Sequence, residues 1–324
     1  MSDEPAGPPG DLPGDLPDDL PGDLPGDEVL VGGGVNRVVR RGDRVLRPTG
    51  PWSVRVHDLL RRLEAAGFDA APRVHGAAGG REELDFLPGT VGNYPVSDEA
   101  ASATALRTAA ELLRDYHRAT AGFARALPRE GWLLPVREPV EVVCHGDYAP
   151  HNCVLDGERV VGLIDFDTAR PGPRLTDLGV AAYRWVPLSD PAHEGVRPGT
   201  AEQAARLAAF CDAYGASAVE RRGLVDAVLE HLDLLVRHMH EQAGAGVAAF
   251  AQHVADGHDE LYRADARYVG AHRAVLEAAV LAGEPGRERG GKHGGGPGVG
   301  TGGAGSPSAP SSRNAERSGG EGHD

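Results

Sequence analysis

The stretch CHGDYAPHNCVLDGERVVGLIDFD, residues 144–167, constrains this chain more than any other. Asp147 and Asn152 lie five residues apart in a polar segment that follows the apolar run EVVC at 141–144. Thirteen residues after Asn152 comes Asp165, at the end of the next apolar run. Two apolar runs, 153–155 and 160–164, flank Asp156-Gly157, a pairing that predicts a β-hairpin. Such a hairpin folds Asp165 back beside Asn152.

That arrangement suits phosphoryl transfer. The moving phosphate needs cations to neutralise its charge and a carboxylate to orient the acceptor hydroxyl. Magnesium takes hard oxygen ligands, few from protein and the rest from phosphate and water. Asn152 and Asp165 fit as those ligands, which leaves Asp147 to accept the hydroxyl proton. Protein kinases show the same spacing: His-x-Asp, four residues, Asn, and then an Asp-Phe-Gly turn.

The segment resembles the catalytic core of the aminoglycoside phosphotransferase family, within the protein-kinase-like fold. His145-Gly146-Asp147, Asn152 and Asp165-Phe166-Asp167 carry the resemblance. DLGVAAYRWVPL (177–188) resembles the family's Asp-Leu segment, which braces the catalytic loop. The likeness extends over 28–282 in layout and over 142–188 in detailed motif. It implies an α+β, two-lobed fold with a small antiparallel-sheet N-lobe and a larger, mostly helical C-lobe. It also implies a catalytic Asp147, magnesium held by Asn152 and Asp165, and structural support of the catalytic loop by His145 and Asp177. Asp167 is either a second metal contact or a turn residue.

On the nucleotide side, the resemblance places a glycine turn over the ATP phosphates, at Gly32, Gly33 and Gly34, and a basic residue on the third strand. Kinases put lysine there. This chain has a single lysine, Lys292, in the segment GGKHGGG. Arg47, in VLRP, is therefore the expected phosphate contact, although arginine does not duplicate lysine. The helix that follows, VRVHDLLRRLEAAG, puts Val56 or His57 where the family has a glutamate to hold the basic residue, so the ion pair has no evident acid. LDFLPG (84–89) resembles the hinge that receives adenine.

Composition and pattern set the boundaries. Residues 1–27 carry a repeated Asp-Leu-Pro-Gly unit with eight acids and no base, and they read as a disordered acidic leader. They hold about half of the formal net charge of −15. Residues 283–324 are rich in Gly, Ser and Pro and read as a flexible tail. The N-lobe and hinge are expected over 28–89, and the catalytic and acceptor-binding C-lobe over 90–282. A helix is expected from an N-cap at Ser53 to Ala66, and another from Ser97 to about Phe123. Residues 226–265 hold eight acids, which form either an acidic acceptor face or a solvated helix face. Tyr183 and Trp185 line the acceptor cleft or belong to the core.

The acidic balance argues against a nucleic-acid partner. No apolar run reaches the length of a membrane span, and no signal peptide is evident. Three cysteines without a CxxC pair suit reduced thiols in a cytoplasm. A phosphate loop is excluded, because it needs a Gly-Lys-Ser/Thr step. A dinucleotide fold is disfavoured, because strand patterning follows the triple glycine. The expected activity is transfer of the γ-phosphate of ATP, with Mg²⁺, to a hydroxyl of a small molecule such as an aminoglycoside, an amino alcohol or another metabolite. The alternative is a catalytically silent, kinase-like nucleotide-binding module with a regulatory or scaffolding role.

Overall fold

The computed structural model describes residues 27–30, 38–193 and 198–283. The expected acidic leader (except Asp27), the triple glycine at 32–34 and the glycine-rich tail beyond Gly283 lie outside the described residues.

The first part of the fold is a sheet. Strands β1 (Glu28–Leu30), β2 (Val38–Arg41) and β3 (Arg44–Pro48) precede helix α1 (Ser53–Ala65), and β4 (Val74–Ala78) and β5 (Arg81–Asp85) follow it. All pairings are antiparallel, in the order β1-β2-β3-β5-β4. The β2–β3 hairpin turns at Gly42, and β4–β5 at Gly79-Gly80; all three glycines have positive φ, where side chains are strained. Helix α1 buries Val56, Leu59, Leu60 and Leu63, a 3.6-residue stripe.

Both ends of α1 are informative. Ser53 is not the N-cap: Trp52 holds that place without a side-chain bond, and the Ser53 hydroxyl accepts the Gly50 N–H at 3.0 Å from inside the first turn. The helix stops at Gly67 (φ 76°), where Phe68 N–H bonds the Leu63 carbonyl and Gly67 N–H bonds that of Glu64. This is a Schellman closure, which a glycine in the left-handed region permits.

The rest is mainly helical. A short strand β6 (Thr90–Val91) leads to α2 (Asp98–Ala101) and α3 (Ala103–Ala121). The single helix expected from Ser97 is two, because Ser102 is extended (ψ 160°) and its side chain caps a new start by accepting Ala105 N–H. Strands β7 (Val142–Cys144), β8 (Cys153–Asp156), β9 (Arg159–Leu163) and β10 (Arg170–Gly172) form two small sheets, β10-β7 and β6-β8-β9. Helices α4 (Arg174–Trp185), α5 (Thr200–Tyr214), α6 (Ala218–Gly244), α7 (Ala248–Ala255), α8 (His258–Ala271) and α9 (Arg273–Ala282) complete the fold. It is the α+β arrangement that the resemblance implies, an antiparallel-sheet part followed by a mainly helical part.

Helix α3 runs through the core, with Leu106, Leu113 and Tyr116 buried. Helices α4 and α6 pack almost backbone to backbone. A Cβ on Gly179 would stand 2.7 Å from the Ala227 carbonyl oxygen, so only glycine fits there.

Candidate active site

The site is built on the loop between β7 and β8. Gly146 turns the chain with φ 87°, and an added Cβ would stand 2.6 Å from the Thr168 carbonyl oxygen. The His-Gly-Asp step thus needs its glycine on two counts, conformation and space.

Asp177 anchors this loop from the first turn of α4. It is fully buried, and its two oxygens accept the backbone N–H groups of His145 (2.6 Å) and Gly146 (2.8 Å). His117 Nε2 approaches the same carboxylate at 3.0 Å. Burial opposes the charge on Asp177, but His117 and the Gly146 N–H outweigh it and hold the carboxyl below its usual range.

His145 lies beneath the loop, against the end of β9. Its ring is buried against Phe166 (centroids 4.9 Å apart), and its Nε2 donates to the Ile164 carbonyl at 3.0 Å. Asn152 grips the same residue, because Ile164 N–H bonds the Asn152 carbonyl at 2.9 Å. Two loop residues therefore hold the end of β9 and deliver Asp165, which sits in the left-handed region at φ 61°.

Asp147 is nearly buried, at 6% exposure. Asn152 Nδ2 donates to its Oδ2 at 2.7 Å, and His151 Nε2 stands 3.3 Å from the same oxygen. Burial works against its charge, yet His151, Arg184 and His145 hold its pKa well below the ordinary carboxylate value. The carboxylate is thus fully ionised at neutral pH.

Arg47 meets the carboxylates that follow β9. Its Nη1 donates to Asp165 Oδ1 at 2.9 Å, its Nη2 to Asp167 Oδ1 at 2.6 Å, and its Nε to Glu82 Oε1. His57 Nε2 bonds the other Glu82 oxygen. Burial disfavours the guanidinium charge, but Asp167, Asp165 and Glu82 more than offset it. Asp167 is pushed up to about 6, chiefly by burial, with Asp165 and Glu82 adding to the rise against the pull of Arg47.

The structure thus forms two groups, Arg47 with Asp165 and Asp167, and Asp147 with Asn152, joined through the Ile164 N–H bond to the Asn152 carbonyl, while His145 and Asp177 hold the loop backbone. Two carboxylates converge on one cation, and both hydrogen bonds of the Asn152 amide use Nδ2, which leaves Oδ1 available. That donor set is hard oxygen and fits magnesium. Among the described residues no three His, Cys, Asp or Glu side chains form a metal-holding group, so a metal here would draw further ligands from elsewhere.

Four residues of the site were not anticipated: Glu82, His57 as its partner, His151 and Arg184. Glu82 takes the place of the expected helix glutamate, and it comes from β5 because β3 and β5 pair with Arg47 opposite Glu82. Strand register is a tertiary fact and left no local signal. His151 was signalled by its i+4 spacing from Asp147.

The acids of 226–265 are largely paired. Asp226 bonds Arg273 (2.6 Å), Asp233 bonds Arg237 (3.0 Å), Asp259 bonds Arg263 (2.6 Å) and His240 (2.8 Å), and Glu230 bonds Arg137. Asp265 is buried and accepts from Tyr183 (2.7 Å) and Ser189 (3.1 Å). Tyr183 and Trp185 are both buried. Cys144, Cys153 and Cys211 are buried and free, and burial pushes each thiol pKa up, Cys211 to about 12.

Comparison with known proteins agrees with this geometry. The sequence pattern of the Phosphotransferase enzyme family matches residues 130–224, which hold the whole catalytic loop. The trifolitoxin immunity protein of Rhizobium leguminosarum bv. trifolii is 36% identical over 211 residues, covering 62% of this chain and 78% of that one. An uncharacterized protein of Deinococcus radiodurans is 31% identical over 187 residues, covering 56% and 51%. In structure the chain is similar to a choline/ethanolamine kinase family protein from Mesorhizobium loti, with a TM-score of 0.53 at 21% identity, covering 82% and 94% of the two chains. That likeness is one of fold. The catalytic loop, its buried aspartate anchor and the matched family pattern coincide in one stretch of sequence, and the chain belongs to the phosphotransferase enzyme family.

Proposed function

We propose that this chain moves the γ-phosphate of ATP to a hydroxyl of a small molecule, with Mg²⁺ as the metal. The observation that supports this most is that the Asp147–Asn152 pair is tied, through the Ile164 N–H bond to the Asn152 carbonyl, to the strand end that carries Asp165 and Asp167 to Arg47. Asn152 Oδ1, Asp165 and Asp167 would hold the metal. When bound, it neutralises charge on the transferring phosphate.

The protein's own part is positional. Asp147, with its pKa held low, is a weak base. It suits a loose, dissociative transfer, in which the acceptor proton leaves late and the carboxylate mainly aims the hydroxyl. His151 and Asn152 fix the direction in which Asp147 points. Arg47 presents a planar fork for phosphate oxygens. The silent-module alternative rests on the missing lysine and the unassigned helix glutamate, and Glu82 supplies an acid for Arg47 in place of the second. No helix among the described residues is long and apolar enough to cross a membrane. A cytoplasmic location, where ATP is plentiful, is part of the proposal.

The experiment is a phosphate-transfer screen with ATP and Mg²⁺ across aminoglycosides, amino alcohols and other hydroxylated metabolites. Transfer to at least one acceptor, abolished in Asp147→Asn, supports the reading. Full activity of that variant, or nucleotide binding without transfer to any acceptor, counts against it.

The relation to the trifolitoxin immunity protein favours a second reading of the biological role: the acceptor hydroxyl belongs to a toxic compound, and the chain gives immunity to it. Expression in a trifolitoxin-sensitive strain tests this directly. Survival that depends on Asp147 supports it, and unchanged sensitivity counts against it.

A further inference from the structure

Arg47 has three donor faces, and each has a different fate. Its Nε faces Glu82 on the neighbouring strand of the same sheet. Its Nη1 and Nη2 face Asp165 and Asp167, which follow β9 in the other part of the fold. Glu82 is 1% exposed, and its second oxygen is taken by His57 from α1. The acid that holds the arginine therefore lies in the sheet, and the helix contributes a histidine that holds the acid.

This differs in kind from a lysine held by a helix acid. A lysine ammonium is a point charge whose donors rotate freely, whereas the guanidinium is a rigid plane. Fixing Nε fixes that plane, and with it the directions of Nη1 and Nη2. A nucleotide with its cation at Asp165 and Asp167 would take over as their counter-ion. The two Nη groups are then released to phosphate oxygens that lie in the same plane, while the Nε bond to Glu82 is kept.

Resting on the proposed nucleotide use, we infer that Glu82, braced by His57, is the positioning residue that keeps the Arg47 plane aimed as its Nη groups exchange carboxylate oxygens for phosphate oxygens. Glu82 touches neither substrate nor metal. Its contribution is to nucleotide affinity, and it leaves acceptor recognition alone. His57 acts one step further back, by holding the Glu82 oxygen that Arg47 does not use. A side chain at 57 that still donates a hydrogen bond preserves the arrangement, and one that cannot donate loosens it.

The test uses the full chain. Titration with ADP and MgCl₂ gives nucleotide affinity, and steady-state transfer separates KM for ATP, KM for the acceptor and kcat. Glu82→Gln keeps one acceptor oxygen but loses the charge and the second acceptor, so it cannot accept from Arg47 and His57 together, and it is expected to weaken nucleotide binding on the order of tenfold. KM for ATP rises alongside, and KM for the acceptor stays put. Glu83→Gln, the next residue on the strand and half exposed, is expected to bind as wild type. His57→Gln keeps a donor and is expected to stay within about threefold of wild type, while His57→Leu matches Glu82→Gln. Melting temperatures of all variants are read in parallel.

Wild-type affinity in Glu82→Gln overturns the inference while leaving phosphotransfer intact. Should Glu82→Gln fail to fold, the His57 pair decides, and equal affinities for His57→Gln and His57→Leu overturn the inference. Equal rises in the KM of ATP and of the acceptor also overturn it, since a general loosening of the fold would produce them. Absence of nucleotide binding in the wild type overturns the function proposal and this inference together.

Discussion

Asn152 donates one side-chain nitrogen to two oxygens of Asp147, the backbone carbonyl at 2.9 Å and Oδ2 at 2.7 Å. The amide thereby closes the catalytic loop on itself and fixes the carboxylate. Replacing Asp147 by Asn keeps the size but loses the charge and the proton acceptor. It is expected to lower kcat by roughly 10²–10⁴-fold, with ADP affinity little changed. Single-turnover kinetics with bound ATP measure this. A parallel loss of nucleotide affinity would show that Asp147 acts in binding.

Gly146→Ala meets a positive φ and a backbone oxygen at once. Neither yields easily, since the Thr168 hydroxyl also donates to the His145 carbonyl at 2.9 Å and ties the two segments together. The variant is expected to lose about 1–3 kcal/mol of stability. Denaturant unfolding monitored against wild type measures the loss, and an unchanged midpoint would contradict the tight loop described here.

Asp177 makes stability depend on acid. Its folded pKa lies below the ordinary value of about 3.9. As pH falls below about 4, the unfolded chain takes up this proton first, so stability drops until the folded pKa is passed. Asp147 adds a drop of the same sign. Asp177→Asn is expected to be less stable at neutral pH and to show a shallower acid limb. An acid limb as steep as that of wild type would remove Asp177 from the account.

His231 acts at milder pH. It is half-buried beside Tyr183, with ring centroids 5.9 Å apart, and its Nε2 is enclosed without a partner. Burial, with the charge of Arg184, pushes its pKa down to about 3. An unfolded histidine titrates near pH 6.5, so between about 6.5 and 3 the unfolded chain holds the extra proton. Stability then falls with falling pH by at most about 1.4 kcal/mol per unit from this group. His231→Phe should flatten that part of the profile, and an unaltered slope between pH 6 and 4 would count against the assignment.

What could be read in advance follows from how local each feature is. The catalytic loop was legible because Asp147, Asn152 and Asp165 sit within one loop and one hairpin, and the hairpin turn is marked by Gly157 at φ 57°. The β2–β3 and β4–β5 turns carry local marks of the same kind, Gly42 at φ 63° and Gly79-Gly80 at 60° and 76°. Glu82 was not, because its role depends on which residue of β3 lies opposite it across the sheet. Ser53 resembles an N-cap in sequence because a serine at a helix start can accept a hydrogen bond from outside the helix or from within its first turn, and the sequence is the same for both. Ser102 leaves no mark in the pattern, because the apolar stripe continues on either side of it while its cap bond starts a new helix.

Helix α4 joins two of these features within a single turn. Asp177 grips the backbone of the catalytic loop, and Gly179, two residues on, lies against the Ala227 backbone of α6 with no side chain between. The loop is thereby joined to α6, at 27 residues the longest helix among the described residues. One turn of α4 therefore meets the catalytic loop through a charged carboxylate and α6 through bare backbone, so any shift of α6 at Ala227 has to be absorbed by α4 as a whole.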